Sequence, residues 1–321
     1  MQGKVTTDAM PEVYVGIDVC KEHLDVYLHP IGDAFSVVND AGGWRCLLGR
    51  LRKHQVKLVV MEPTSKYHRA AHRHLNAVGI DVALVNPRRA RLFAQAFGQL
   101  AKTDAIDARI LALMGERLQP DEVTPPSADE EALEELAGAR SAALAERTAI
   151  GNRLETTGTT FLRRELAARL GSLDKHIKRL EAKIEAMIAA DPIMARQAVI
   201  IRSIPGMGPV NVLAILTGLR EIGRINGKEA AALAGLAPFA DDSGPRQGHR
   251  RIQGGRANLR KALYMAAVSA SRCNPELKTF YQRLRANGKT AKVAFIAVAR
   301  KLLVLANTLV TENRCWTPVR P

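Results

Sequence analysis

Apolar residues in the first third of the chain recur in two periods, and the switch between the periods predicts the order of elements. Val13-Tyr14-Val15-Gly16-Ile17-Asp18 is a short apolar run that ends in an acid, and Leu24-Asp25-Val26-Tyr27-Leu28 alternates as a strand does. Ala34 to Val38 pairs beside it as a third strand, and Gly43 to His54 has the polar-faced pattern of a helix. Lys57-Leu58-Val59-Val60-Met61-Glu62 is another strand closing on an acid. A helix is expected over 66–78, a strand over Val82–Val85 stopped by Asn86-Pro87, and a helix over 104–117. Three hairpin-like strands followed by alternating helices and strands predict one mixed sheet covered by helices.

Pro120, Pro125 and Pro126 break this pattern off, and a long helical stretch follows over roughly 129–190. Within it Leu170, Leu173, Ile177, Leu180, Ile184 and Met187 repeat at alternating spacings of three and four, a heptad seam flanked by charges. The seam predicts coiled-coil pairing, in a long hairpin or between chains; the plainer alternative is a long helix packed on its own domain. Asp191-Pro192 ends the stretch. From Val199 onward the pattern is short helices punctuated by Gly and Pro, with a final apolar helix from Ala291 to Val310. The expected organisation is therefore an α/β domain of the ribonuclease-H type over 1–125, long coiled-coil or linker helices over 126–195, and a mainly α-helical domain over 196–321.

Charge separates these parts. The formal net charge is +15, but residues 1–199 carry 27 Lys and Arg against 26 acids, whereas 200–321 carry 20 against 6. A surface that displaces counterions from phosphates needs such an excess; a merely solvated one does not. Cys20, Cys46, Cys273 and Cys315 are scattered, with no CxxC pair, which argues against zinc or a disulfide framework and fits a reducing cytoplasm. No apolar run is expected to reach membrane-spanning length, and no signal-peptide pattern opens the chain. Aromatics make up 4% of residues, so a nucleic-acid surface here rests on Arg and Lys rather than on stacking.

Asp18 and Glu62 each close an apolar strand, where side chains point into the cleft at strand ends. Asp104 and Asp107 lie three apart and so share one helix face. Mg2+ (or Mn2+) takes oxygen ligands and retains waters, so a few converging carboxylates suit it. Each acid alone has a bland reading: a solvated strand end, a helix cap, or a first-turn acid favoured by the dipole.

In the basic third, Ile204-Pro205-Gly206-Met207-Gly208-Pro209 before an apolar helix has the form of a helix-hairpin-helix-like turn, in which Gly206 and Gly208 let backbone amides face a phosphate. A plain Gly-rich helix connection is the alternative. Asp241-Asp242-Ser243-Gly244-Pro245-Arg246 continues through Gln247-Gly248-His249 to Arg250-Arg251 as a basic loop. A serine hydroxyl attacks a phosphodiester when its proton is removed and cations such as Arg246, Arg250 and Arg251 stabilise the transition state. A serine beside a glycine is far more often a turn residue, and the residues alone do not single out Ser243. Arg256, Arg260 and Lys261 near one side of the next helix suit phosphate contacts.

Taken together, these blocks resemble the DEDD transposases of the Piv/MooV type, the insertion-sequence one-ten group of recombinases, over nearly the whole chain. The resemblance rests on Gly16-Ile17-Asp18 with Lys21 and Leu24-Asp25-Val26, Glu62 with Thr64 and Tyr67, Asn86-Pro87, and Lys102-Thr103-Asp104-x-x-Asp107-Ala108-Arg109. It continues in Ile204-Pro205-Gly206-x-Gly208, Leu233-Ala234-Gly235-Leu236-x-Pro238, and Ser243-Gly244 through Leu259–Met265. It implies that Asp18, Glu62, Asp104 and Asp107 form the metal-binding tetrad of a RuvC-like domain, and that Ser243 is the nucleophile of a transient phosphoserine link to DNA. It also implies donor and target DNA as partners, a non-coding guide (bridge) RNA in some members, and a homo-oligomer, dimer or tetramer, on the coiled coil. Two departures stand out. Pro63-Thr64-Ser65 replaces the usual Ala-Thr-Gly after Glu62, and the loop after Ser243-Gly244 begins with Pro245 and is about two residues shorter.

Four rivals carry different expectations. A metal-dependent nuclease would use the acids to activate water, with Ser243 a loop residue. An architectural or RNA-binding protein would not keep all four acids. A sugar kinase shares the Gly-Ile-Asp strand end but needs a Gly-rich phosphate loop, absent here. A tyrosine recombinase needs Arg and His around Tyr264 or Tyr281.

Overall fold

The computed structural model describes residues 11–98, 104–239, 248 and 250–318, with the backbone alone for 104–106. The chain divides into two compact units, Met1–Pro126 and Ser127–Pro321.

In the first unit β1 (Glu12–Val19), β2 (His23–His29) and β3 (Asp33–Val38) are followed by α1 (Ala41–Leu51), β4 (Gln55–Met61), α2 (His68–Asn76), β5 (Val82–Leu84), α3 (Pro87–Ala96) and α4 (Asp104–Leu118). The strands form one sheet in the order β3-β2-β1-β4-β5. β1, β2 and β3 pair antiparallel, while β4 runs parallel to both β1 and β5. This mixed sheet with its helices is compatible with a RuvC-like α/β domain.

β1 is the central strand, and its almost continuous apolar run reflects cover on both faces. Val13, Val15, Ile17 and Val19 join Leu24, Val26 and Leu28 of β2 and the buried sides of α1 and α2. The alternate positions look the other way, where Tyr14 packs with Leu58, Val60, Leu111 and Met114. On that face α4 lies directly on the strand. A Cβ at Gly16 would stand 1.9 Å from the Ala108 carbonyl oxygen and 2.5 Å from the Ala112 nitrogen. Small residues on both sides of the contact, Gly16 against buried Ala108 and Ala112, permit this approach.

Element ends shift from expectation by one to three residues. One helix was not anticipated: α3, where the Asn86 side chain accepts from the Arg88 N–H and Pro87 occupies the first turn. That pair is a helix start as much as a strand stop.

The second unit holds α5 (Ala128–Thr156), α6 (Thr160–Ala190), α7 (Pro192–Arg202), α8 (Pro209–Gly218), α9 (Gly227–Leu233), β6 (Pro238–Phe239), β7 (Arg251–Ile252), α10 (Ala257–Cys273), α11 (Pro275–Ala286) and α12 (Ala291–Thr311). The helical stretch expected over roughly 129–190 is two helices folded as a hairpin within the chain, broken at Thr157-Gly158-Thr159. There β-branched residues and a glycine disfavour helix, and the Thr156 and Thr157 hydroxyls bond the Arg153 carbonyl. α5 and α6 run antiparallel, cross-linked by Arg140–Glu181, Arg147–Asp174 and Arg169–Glu146. Ile177 and Ile184 of the heptad seam are buried and its other members half-buried. Ile184 packs with Leu133 and with Leu213 of α8 in the same chain.

α12 is the core helix of this unit: Ala294, Val298, Leu302, Leu303, Ala306 and Leu309 are fully buried, packed with residues of α7, α8 and α10. Contrary to the sequence expectation, it is long and apolar enough to cross a membrane by length and composition. Its packing on α7, α9, α10 and α11 accounts for its buried apolar positions, while Lys292, Val293 and Lys301 remain exposed. Buried Asn307 within it is fully used, accepting from the Gly223 N–H at 2.9 Å and donating to the Ile225 carbonyl at 2.7 Å.

Candidate active site

The acids of the first unit are placed by strand register. Ile17 pairs with Met61 in the parallel β1–β4 ladder, so Asp18 and Glu62 follow at the carboxyl ends of adjacent strands. Their parity is that of Gly16 and Val60, which puts both side chains on the face covered by α3 and α4. The Asp18 carboxylate is half-buried and accepts from the Val19 N–H at 3.0 Å. Because α4 rests on Gly16 through Ala108, its first turn lies over this strand end, and Asp107 is in that turn. Glu62 and Asp107 line one cleft of about 260 Å³ with Pro87, Ala90, Arg91, Ala94, Ile110 and Leu111. Asp104 opens α4, but its side chain lies outside the described residues.

The donors suit a hard divalent cation: they are carboxylate oxygens. Among the described residues no group of three or more acid, His or Cys side chains stands close enough to hold a metal. The Asp104 side chain, which the resemblance counts among the ligands, lies outside the described residues, and Mg2+ completes its coordination with water. Asp18, Glu62, Asp104 and Asp107 are the residues that would hold it.

Sequence reasoning missed two neighbours of this site. Arg91 enters the cleft from α3, and the Asn86-Pro87 helix start was the signal that could have found it. Asp25 stands directly opposite Asp18 in the β1–β2 ladder, and its carboxylate is 3.0 Å from the His23 Nε2. Period-2 counting from Leu24 was enough to put Asp25 on the Asp18 face. The departure after Glu62 is also accounted for: Ser65 has φ +48, a left-handed conformation that glycine adopts freely.

In the second unit Ser243, Arg246 and most of the loop around them lie outside the described residues. The ends of that loop are held: Pro238 pairs with Ile252 and Phe239 with Arg251, joining β6 to β7. Behind this ribbon the chain crosses itself closely, a Cβ at Gly255 standing 2.2 Å from the Gly235 nitrogen. α7, the turn over 203–208 and α8 form two helices joined by a Gly-rich turn. Gly206 has φ +100, and a Cβ there would stand 2.5 Å from the Ala270 Cβ, so packing on α10 demands glycine whatever the turn binds. Gly208 caps α8 with open space around it.

The cations proposed for phosphate differ in availability. Arg250, Arg251 and Lys261 are exposed. Arg260 donates to the Gly254 carbonyl at 2.6 Å. Arg256 is matched inside the chain, clasping both Glu221 oxygens at 2.7 and 2.6 Å and the Gly218 carbonyl at 3.0 Å. Burial alone would raise the Glu221 carboxyl, but the Arg256 hydrogen bonds, its own backbone N–H and the charges of Arg256 and Arg220 outweigh it and hold it below the ordinary 4.5. A depressed folded-state value stabilises above the unfolded value and is lost as pH falls through the folded one. Glu221→Gln is therefore expected to lower stability at pH 7 by about 1 kcal/mol, discounted for partial exposure. The difference from wild type should close as urea titrations move below pH 4.5; a pH-independent difference would assign the loss to packing.

Residues 15–159 match a family model of DEDD transposases of the IS110 type, described as transposase, and residues 198–282 match the transposase family IS116/IS110/IS902. The pilin gene-inverting protein of Moraxella bovis is 27% identical over 320 residues, covering 95% of this chain and 98% of that protein. Its counterpart in Moraxella lacunata is likewise 27% identical over 320 residues. An uncharacterized 44.8 kDa protein of insertion element IS116 from Streptomyces clavuligerus is 32% identical over 164 residues, 49% of this chain and 39% of that protein. The two family segments, one carrying the acid cleft and the other flanking the serine loop, take in more than half of the chain between them, and the chain belongs to the IS110 family of transposases, enzymes of DNA recombination.

Proposed function

We propose that this transposase cuts and exchanges DNA strands, as transposition or as an inversion of the kind named for its Moraxella relatives, through a phosphoserine intermediate at Ser243. Asp18, Glu62, Asp104 and Asp107 bind Mg2+ or Mn2+, and Arg246, Arg250 and Arg251 border the serine. The reading is carried by the common placement of Asp18, Glu62 and the Asp107 turn on one face at the strand ends. The Ser243 hydroxyl attacks phosphorus, its proton leaves to a nearby base such as Asp242, and the P–O bond to the departing deoxyribose oxygen breaks. Attack by the incoming strand's hydroxyl on the phosphoserine then reverses the sequence and frees the serine. A bound divalent ion would supply charge neutralisation at the scissile phosphate. A non-coding guide RNA pairing with donor and target DNA supplies the sequence choice, and a dimer or tetramer holds the two duplexes.

The test is a denaturing gel of the protein incubated with labelled donor DNA, guide RNA and Mg2+. Wild type is expected to leave a protease-sensitive protein–DNA adduct, and Ser243→Ala to lose it while still binding DNA in a native gel. Cut ends without adduct in wild type would favour the alternative, a RuvC-like metal-dependent endonuclease that activates water instead.

A further inference from the structure

Between residues 272 and 301 the chain carries eight Lys or Arg and a single acid, Glu276. This stretch spans the end of α10, all of α11 and the first half of α12, beyond the segment of 246–261 to which phosphate contacts are assigned above. Among the described residues no ion pair joins any of these cations to an acid; the ion pairs nearest in sequence are Arg256–Glu221 and Arg314–Glu312. Lys278, Arg285, Lys289 and Lys292 are exposed. Lys278 and Arg285 are seven apart on α11 and share a face; the Arg285 guanidinium donates to the Lys289 carbonyl at 2.7 Å and so holds the α11–α12 turn against the helix. Arg283 and Lys301 approach the Phe280 ring to 5.4 and 4.9 Å, which ties α12 to α11; Phe280, two residues on from Lys278, lies on the other side of α11 and leaves the Lys278–Arg285 face clear of this contact. Unneutralised like charges repel and weaken a fold, and a row of phosphates removes that repulsion.

The aromatic residues decide which nucleic acid fits. Tyr281 stacks on Phe295 with centroids 4.7 Å apart, Tyr264 meets the same ring edge-on, and Phe280 faces cations. These rings are spent on one another and on cations rather than presented for unpaired bases, which single-strand binders need. We propose that the α11–α12 face is a second docking surface, which holds the sugar–phosphate backbone of duplex DNA without reading its sequence. The inference rests on the DNA-recombination reading above and adds a surface to it.

The experiment measures affinity for a random-sequence 30-base-pair duplex over a salt series, for the full chain and for the quadruple variant Lys278→Gln, Arg285→Gln, Lys289→Gln, Lys292→Gln. Each phosphate contact contributes about 0.9 to the slope of log affinity against log salt, so the variant's slope is expected to fall by about 2 to 4. The loss should be equal for duplexes of different sequence. Thermal unfolding of the variant checks that the fold persists, and the double variant Lys278→Gln, Lys292→Gln, which leaves the Arg285 hydrogen bond in place, keeps the test should the quadruple variant not fold. A slope unchanged in a folded variant overturns the proposal while leaving the recombinase reading intact. A slope that falls only with a single-stranded or stem-loop RNA probe also overturns it and assigns the face to RNA. Wild type with no affinity for duplex DNA would instead remove the recombination reading on which it rests.

Discussion

Strand exchange is expected to fall by about a hundred- to a thousandfold or more in Asp18→Ala, and equally in Asp104→Ala, with the fold preserved. The size is that expected if Asp18 and Asp104 are ligands of the proposed cation that neutralises the scissile phosphate, since losing one carboxylate would weaken or displace that ion. The preserved fold follows from the register: Asp18 sits directly opposite Asp25, and like charges facing across a ladder destabilise it. Taking one away relieves that repulsion, so the urea midpoint of Asp18→Ala should match wild type or exceed it. The pairing of lost exchange with unchanged stability separates a functional carboxylate from a structural one. Exchange persisting in both variants would remove the first unit's acids from the mechanism.

Gly16→Ala is expected to unfold the first unit more readily, by about 1–3 kcal/mol, and to reduce exchange further than that loss explains. A single methyl meets the Ala108 carbonyl oxygen at 1.9 Å, and backbone on backbone has no rotamer through which to yield. α4 must move, carrying Asp104 and Asp107 off the strand ends. Gly49→Ala in α1 is the control: nothing lies within 4 Å of its Cβ, and the substitution should stabilise by about 0.5–1 kcal/mol. Gly16→Ala behaving like Gly49→Ala, in urea unfolding and in exchange, would mean that α4 does not set the position of the acids.

Much of the first unit was legible because its periods are pure. β1 is buried on both faces along nearly its whole length and β4 over its last four residues, and an acid stands at or just beyond the end of each, so their carboxyl ends follow from apolar runs alone. What resisted was anything dependent on contact between distant segments. The closeness of α4 to Gly16 has no local signature, because a glycine in a strand also marks a bulge or a bend. The break in the helical stretch at Thr157-Gly158-Thr159 was outweighed by strong helix formers on both sides. Arg256 looked like a phosphate ligand because the sequence does not show Glu221, 35 residues away, folding onto it. Gly206 shows the same limit: a turn read for its amides is required at least as much by Ala270.

The segment after Glu62 bears on how that carboxylate would meet the cation proposed for it. Pro63 disfavours helical backbone at Glu62, the residue that follows the end of β4, and two residues after the proline Ser65 is held at φ +48. Proline and serine have fewer accessible conformations than the alanine and glycine common at these places, so the freedom is surrendered when the chain folds. Little would then remain to be lost on binding the proposed cation. The cost of ordering Glu62 is thereby shifted from the binding step to the folding step, which favours a carboxylate already aimed before its ligand is present.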